Sequence, residues 1–230
     1  MKRFYKDVAV AEAEGGFCIL LDGKPVKTPA RNTLLLPTQA LAHAVAAEWA
    51  GQGDEIFATT MPLLRLANTV LDGVSQNRQD VIGAILRFGE NDLICYRAHQ
   101  PPELARRQAD GWDPLLDWAR ERLSARMTVG EGIGHVDQSP EALAALREAM
   151  AGYDAFTLAG LHVIASITGS LVLALAVVEG ATNGAEAFHL SRIDENYQAE
   201  KWGEDAEAVK RASALAHELD KAVELIASVR

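Results

Sequence analysis

The stretch from Lys6 to Leu36, KDVAVAEAEGGFCILLDGKPVKTPARNTLLL, decides the fold class. Short apolar runs are separated by turn residues, and they read as strands over Lys6 to Val10, Phe17 to Leu21, Pro25 to Thr28 and Thr33 to Leu36. Glu14-Gly15-Gly16 and Asp22-Gly23 fill two of the junctions, and Asp-Gly between strand-like runs is a strong hairpin signal. An antiparallel meander is expected.

Beyond this stretch the period changes from strand to helix. Leu41, Ala42, Val45, Ala46 and Trp49 recur at helical spacing, with Thr38 placed to cap and Gly51 and Gly53 placed to stop the helix. Met61-Pro62 opens a second helix through Leu63, Leu66, Ala67, Val70 and Leu71, and a third begins near Asp80 with Val81, Ile85 and Phe88. After about Gly73 no strand is expected. Pro102 to Leu123 reads as a long helix, and Ser139-Pro140-Glu141 puts a capping hydroxyl before a proline at the first helical position of another, which runs to Met150.

The expected class is therefore α+β. A small N-terminal antiparallel sheet with covering helices occupies residues 1–75, followed by a larger all-helical bundle over residues 76–230. No internal repeat or low-complexity segment interrupts it.

Ala155 to Val178 runs for 24 residues without a formal charge, long enough for a membrane span of about 20 residues. His162, Thr157, Ser166, Thr168, Ser170, Gly160 and Gly169 lie within it, and Asp154 and Glu179 flank it where a span usually has basic residues on one side. It reads as a buried central helix of the bundle, apolar all round; a membrane span is the alternative.

Composition narrows the function classes. Hydrophobic residues at 49% and charged residues at 23% are the balance of an ordinary folded protein. The formal charge of -10 argues against attraction to nucleic acid or anionic lipid. Cys18 and Cys95 lack ligand or redox spacing and read as buried apolar thiols. The N-terminus has no apolar segment of the kind a secretory signal needs and acquires acids quickly, so no signal or transit peptide is read there, and a cytoplasmic protein is expected.

Catalytic signatures are scarce. His43, His99, His135, His162, His189 and His217 form no metal-ligand spacing, and they read as surface or satisfied core histidines. GEGIGH, Gly130 to His135, follows a helix where a dinucleotide fingerprint needs a strand before it, so it reads as a flexible linker. Neither a nucleophile elbow nor a phosphate-binding loop is present. The enzymatic alternative is a hydrolase of unknown substrate using carboxylates near Asp92 or Asp194.

The densest charge cluster runs from Asp194 to Glu207, where Asp194, Glu195, Glu200, Glu204, Asp205 and Glu207 face a single Lys201. Tyr197, Gln198 and Trp202 sit among these acids, and Gly203 breaks the helix before the next begins. Aromatics supply rigid contact area while rim charges select a partner, so this helix-helix corner is the candidate protein-binding surface. Its site residues are Glu195, Glu204, Tyr197, Gln198, Asp194 and Trp202. Tyr197 fits core or contact equally, and Trp202 leans towards pinning the corner as core.

The strings RFYKDV (Arg3 to Val8), LDGKPVKTP (Leu21 to Pro29), EW (Glu48-Trp49), MPLLRLANTVLDGV (Met61 to Val74), DLICYRA (Asp92 to Ala98), WDPLLDWA (Trp112 to Ala119) and DENYQAEKWGED (Asp194 to Asp205) stand in this order. Together the chain resembles the family of F-type ATP synthase assembly chaperones that handle the alpha subunit of the catalytic sector. The resemblance covers nearly the whole chain. Leu64, Phe88 and Asn91 depart from it, standing where a threonine, a tyrosine and a threonine or serine are more usual.

The resemblance implies a non-enzymatic role without a cofactor or metal: binding the unassembled alpha subunit and masking its beta-facing surface. It also implies two domains, an N-terminal α/β part and a C-terminal helical bundle, which agrees with the order of elements. Mitochondrial members carry a targeting extension, so a bacterial cytoplasmic member, acting as a monomer, is the natural reading here. The family's important acidic residues in the C-terminal region carry over to Glu195 or Glu204, with the choice between them open.

Overall fold

The alternating run Val8–Ala13 forms β1 and pairs antiparallel with β2, Gly16–Leu21, in a register that sets Ala13 opposite Gly16. Glu14 and Gly15 make the two-residue loop. A Cβ on Gly16 would stand 2.4 Å from the carbonyl oxygen of Leu36, so only glycine fits there. Asp22 and Gly23 both have positive φ, as a tight hairpin turn requires, and lead into β3, Lys24–Pro25. β4, Leu35–Leu36, departs from the expected meander by pairing with β2. The two-residue β3 covers only the Leu20–Leu21 end of β2, which leaves Phe17 and Cys18 to pair with β4.

The structure, a computed structural model, describes residues 1–132 and 134–230. The chain divides into two units: Met1–Arg78 with Asp154–Gly160 and Glu224–Arg230, and Gln79–Tyr153 with Leu161–Val223.

In the first unit α1, Gln39–Ala50, starts where the Thr38 hydroxyl accepts the Leu41 N–H, and it buries Leu41, Ala42, Val45, Ala46 and Trp49. Full burial of each large apolar side chain of this set contributes about 1.5–3 kcal/mol before entropy is counted. α2, Pro62–Thr69, begins with proline at a position whose N–H would go unused, and runs on into a π-helical turn at Val70–Val74. Glu48 accepts the N–H groups of Leu63 and Leu64 at 2.8 and 2.9 Å and so caps α2 from α1. Asp72 accepts from Thr28, Ala30 and Asn32, which fixes the loop between β3 and β4.

The second unit is mainly helical: α3, Arg78–Glu90; α4, Pro102–Leu123; α5, Pro140–Ala149; α6, Ala155–Thr168; α7, Leu171–Val178; α8, Gly184–Ser191; α9, Ile193–Trp202; and α10, Ala206–Ser228. The first residue of α3, the start of α6 and the end of α10 belong to the first unit. α5 opens with Ser139 capping the Ala142 N–H before Pro140. The expectation of no strand beyond Gly73 needs correction. Tyr96–Arg97 (β5) and Gly130–Glu131 (β6) form a short parallel pair, a non-local contact that periodicity does not encode. The linker reading of GEGIGH changes with it: Gly130 is packed against Val136 and the Gly132 N–H bonds the Arg97 carbonyl, while Ile133 lies outside the described residues.

The single apolar helix expected from Ala155 to Val178 is two. Gly169 adopts φ +67, which ends α6, and the Ser170 hydroxyl accepts the Leu173 N–H to start α7. At about 1.5 Å per residue neither piece reaches the roughly 30 Å of a bilayer core. Among the described residues no helix is long and apolar enough to cross a membrane. The break also lets Asp92, fully buried, receive the Ile94 and Val172 N–H groups and tie the Leu93–Cys95 turn to the start of α7. Cys18 and Cys95 are buried free thiols, as expected.

Candidate functional site

α9 has two faces. Asp194, Tyr197 and Lys201 recur at helical spacing and turn towards α4. Gln108 of α4, 1% exposed, donates from Nε2 to Asp194 Oδ1 at 2.5 Å, and its own Oε1 accepts the Ala98 N–H. Tyr197 is buried, with the Arg107 guanidinium 5.2 Å and the Lys201 ammonium 5.1 Å from its ring centre. Glu103 bridges the two cations, at 3.1 Å from Lys201 and 2.9 Å from Arg107, while Arg107 also reaches Glu200 at 2.7 Å. Hydrogen bonds from Lys201 and then Arg107 hold the Glu103 carboxyl below the usual carboxylate range. Charge, ring and hydrogen bond thus bind α9 to α4.

The other face carries Glu195, Gln198 and Trp202. With Glu204, and with Ala208 and Val209 of α10, they line a groove of about 580 Å³ between the two helices. Trp202 is 79% exposed and Val209 48%. Gly203, at φ +92, turns the chain between the helices, and Asp205 accepts the Glu207 N–H at the start of α10. Arg192 lies 4.0 Å from Glu195, and Glu204 makes no ion pair among the described residues. The groove joins an apolar floor to an acidic rim. A surface of that kind can seat an apolar side chain beside a cation.

The six residues singled out in the sequence therefore divide. Glu195, Gln198, Trp202 and Glu204 come together on the groove, while Asp194 and Tyr197 belong to the fastening of α9. Trp202 does not pin the corner as core, because the last residue of α9 projects beyond the packing that covers Tyr197. Sequence reasoning missed Gln108, Arg107 and Glu103, single polar residues on a long helix with no motif around them. It also missed the alanines at 208, 212 and 216, whose four-residue spacing was the available signal for the groove floor.

The carboxylates of the enzymatic alternative are otherwise engaged. Asp92 bonds backbone N–H groups and has no exposed surface, and burial pushes its pKa up to about 6 against the opposing hydrogen bonds. Asp194 accepts from Gln108. Half-buried His162 stands edge-on to Phe88 with centroids 6.0 Å apart, and its partial burial lowers its pKa. No group of three or more His, Cys, Asp or Glu side chains suited to a metal ion occurs among the described residues.

The whole fold is that of a known chaperone class. It matches Atp12 from Paracoccus denitrificans with a TM-score of 0.95 and 40% identity, covering 100% of this chain and 98% of that one. A protein of Agrobacterium tumefaciens matches with a TM-score of 0.96 and 45% identity, over 100% of this chain and 86% of that one. Residues 2–120 match the family described as ATP12 chaperone protein. The mitochondrial atp12 protein of Schizosaccharomyces pombe is 25% identical over 228 residues, 90% of this chain and 76% of that protein. The chain belongs to the ATP12 chaperone family.

Proposed function

We propose that this protein is an assembly chaperone of the ATP synthase catalytic sector, holding the unassembled alpha subunit and masking its beta-facing surface until assembly. The groove between α9 and α10 is the contact site, with Trp202 as anchor and Glu195 and Glu204 as charged rim. The observation that carries this reading is the exposure of Trp202, at 79%, over an apolar floor beside Glu204, which makes no ion pair among the described residues. Exposed aromatic area of this kind marks protein contact, and an unassembled subunit presents an apolar surface that aggregates unless covered. Family membership supports the chaperone role.

The protein acts in the cytoplasm of a bacterium as a monomeric holder and carries out no turnover of its own. Light scattering of separately expressed alpha subunit tests the reading. Added chaperone suppresses the scattering in proportion to its concentration; unchanged aggregation at several-fold excess contradicts it.

A further inference from the structure

α10 carries one apolar row, and the second unit covers only the later part of it. Ala208, Ala212, Ala216 and Leu219 follow one another at four- and three-residue steps, so they share a face of the helix. Leu219 and Ala222 are buried. From Ala206 to Glu218, by contrast, no residue of the helix is buried. The three alanines are half-buried, and Val209 and Leu215, which flank the row on its two sides, are exposed. At about 1.5 Å per residue, Ala208 to Leu219 makes roughly 16 Å of apolar row, or about three turns. An apolar face of that length on a helix is ordinarily packed against another element.

Shape and charge limit what can cover it. The alanines present only methyl groups, which lets a further helix approach to the short end of the usual range of about 8–10 Å between axes. Trp202 stands as the wall of the groove on the α9 side. Two helices offer no strand edge to an extended segment, whose N–H and C=O groups would lose water without gaining partners, whereas a helix brings its own backbone bonds. The lining holds three carboxylates, Glu195, Glu204 and Asp205, against one guanidinium, that of Arg192, 4.0 Å from Glu195. Lys210 and Arg211 do not line the groove. The excess of acid suits a cationic occupant. It opposes a second copy of this chain, which would bring the same acids and a formal charge of -10 to the face.

We infer that the groove seats an amphipathic helix of the client, about three turns long, with small apolar side chains against Ala208, Ala212 and Ala216 and with Lys or Arg beside Glu204 and Asp205. This rests on the groove being the surface that holds the client, and it adds what the client presents there.

The test titrates fluorescein-labelled peptides of about 14 residues with the full chain and reads anisotropy. One peptide is an amphipathic helix of Ala, Leu and Lys. The second replaces each Lys by Glu, and the third scrambles the first so that its apolar residues share no helical face. The Lys helix binds saturably, and the other two bind at least about tenfold more weakly. Ala212→Gln fills the row and weakens the Lys helix by a similar factor. Glu204→Lys, at an exposed position, weakens it and narrows its advantage over the Glu peptide. Circular dichroism and urea midpoints establish that both variants are folded. Binding that does not distinguish the three peptides, or that is unchanged in both variants, overturns the inference. So does sedimentation of the protein alone as a dimer that Ala212→Gln dissociates, which gives the face to a second copy. Both variants also enter the alpha-subunit light-scattering assay. Loss of holding there without binding of the Lys helix overturns this inference and leaves the groove as the client surface; normal holding by both folded variants overturns the two together.

Discussion

Gln108 of α4 donates to Asp194 of α9 at 2.5 Å from a position that is 1% exposed. An acid that looks from the sequence like part of a contact surface is thereby a fastening between two helices. Asp194→Ala leaves the buried Gln108 amide without this partner and is expected to cost about 1–3 kcal/mol. Glu195→Ala, one residue along on the exposed face, is expected to change stability by less than about 0.5 kcal/mol. Urea unfolding of the two variants checks the contrast, and equal losses would remove the two-faced account of α9.

Gly16→Ala is expected to destabilise the first unit by more than about 2 kcal/mol. The added methyl meets the Leu36 carbonyl oxygen at 2.4 Å, and yielding means opening the β2–β4 pairing. Thermal unfolding followed by circular dichroism measures the loss.

Asp92 carries a pH signature. Burial raises its pKa from 3.8 to about 6 in the folded protein, so the folded state holds the proton more tightly than the unfolded state does. Its contribution is fully present below pH about 4 and is lost as pH rises through about 6, a change on the order of 3 kcal/mol. Asn cannot titrate. The stability of the wild type relative to Asp92→Asn is therefore expected to fall between pH 4 and pH 7, as read by urea midpoints across that range. A difference that grows with pH would show that the hydrogen bonds from Ile94 and Val172 outweigh burial.

The elements that the sequence makes legible are those fixed by neighbouring residues. Thr38 caps α1, Ser139-Pro140 opens α5, Pro102 begins α4 and Asp22-Gly23 turns the hairpin, each by a local bond or a local φ. The break at Gly169 was hidden because glycine in an apolar run is also tolerated inside a helix, and only its φ of +67 distinguishes the two cases. The pairing of Tyr96 with Gly130 joins distant residues through two positions, too short to leave a period. At the site, helical spacing groups Asp194 with Tyr197 and Glu195 with Gln198 and Trp202. Which group meets α4 depends on Gln108 and Arg107, and no pattern around α9 announces them.

The direct test of the central claim is suppression of alpha-subunit light scattering by Trp202→Ala combined with Glu204→Lys. Both residues are exposed and make no ion pair among the described residues, so far-ultraviolet circular dichroism and the unfolding midpoint are expected to match the wild type. The variant is expected to lose most of its holding activity, requiring at least about tenfold more protein for half-suppression, as removal of an interface anchor implies. A folded variant that suppresses scattering at the wild-type concentration would contradict the assignment of the groove between α9 and α10 as the surface that holds the client.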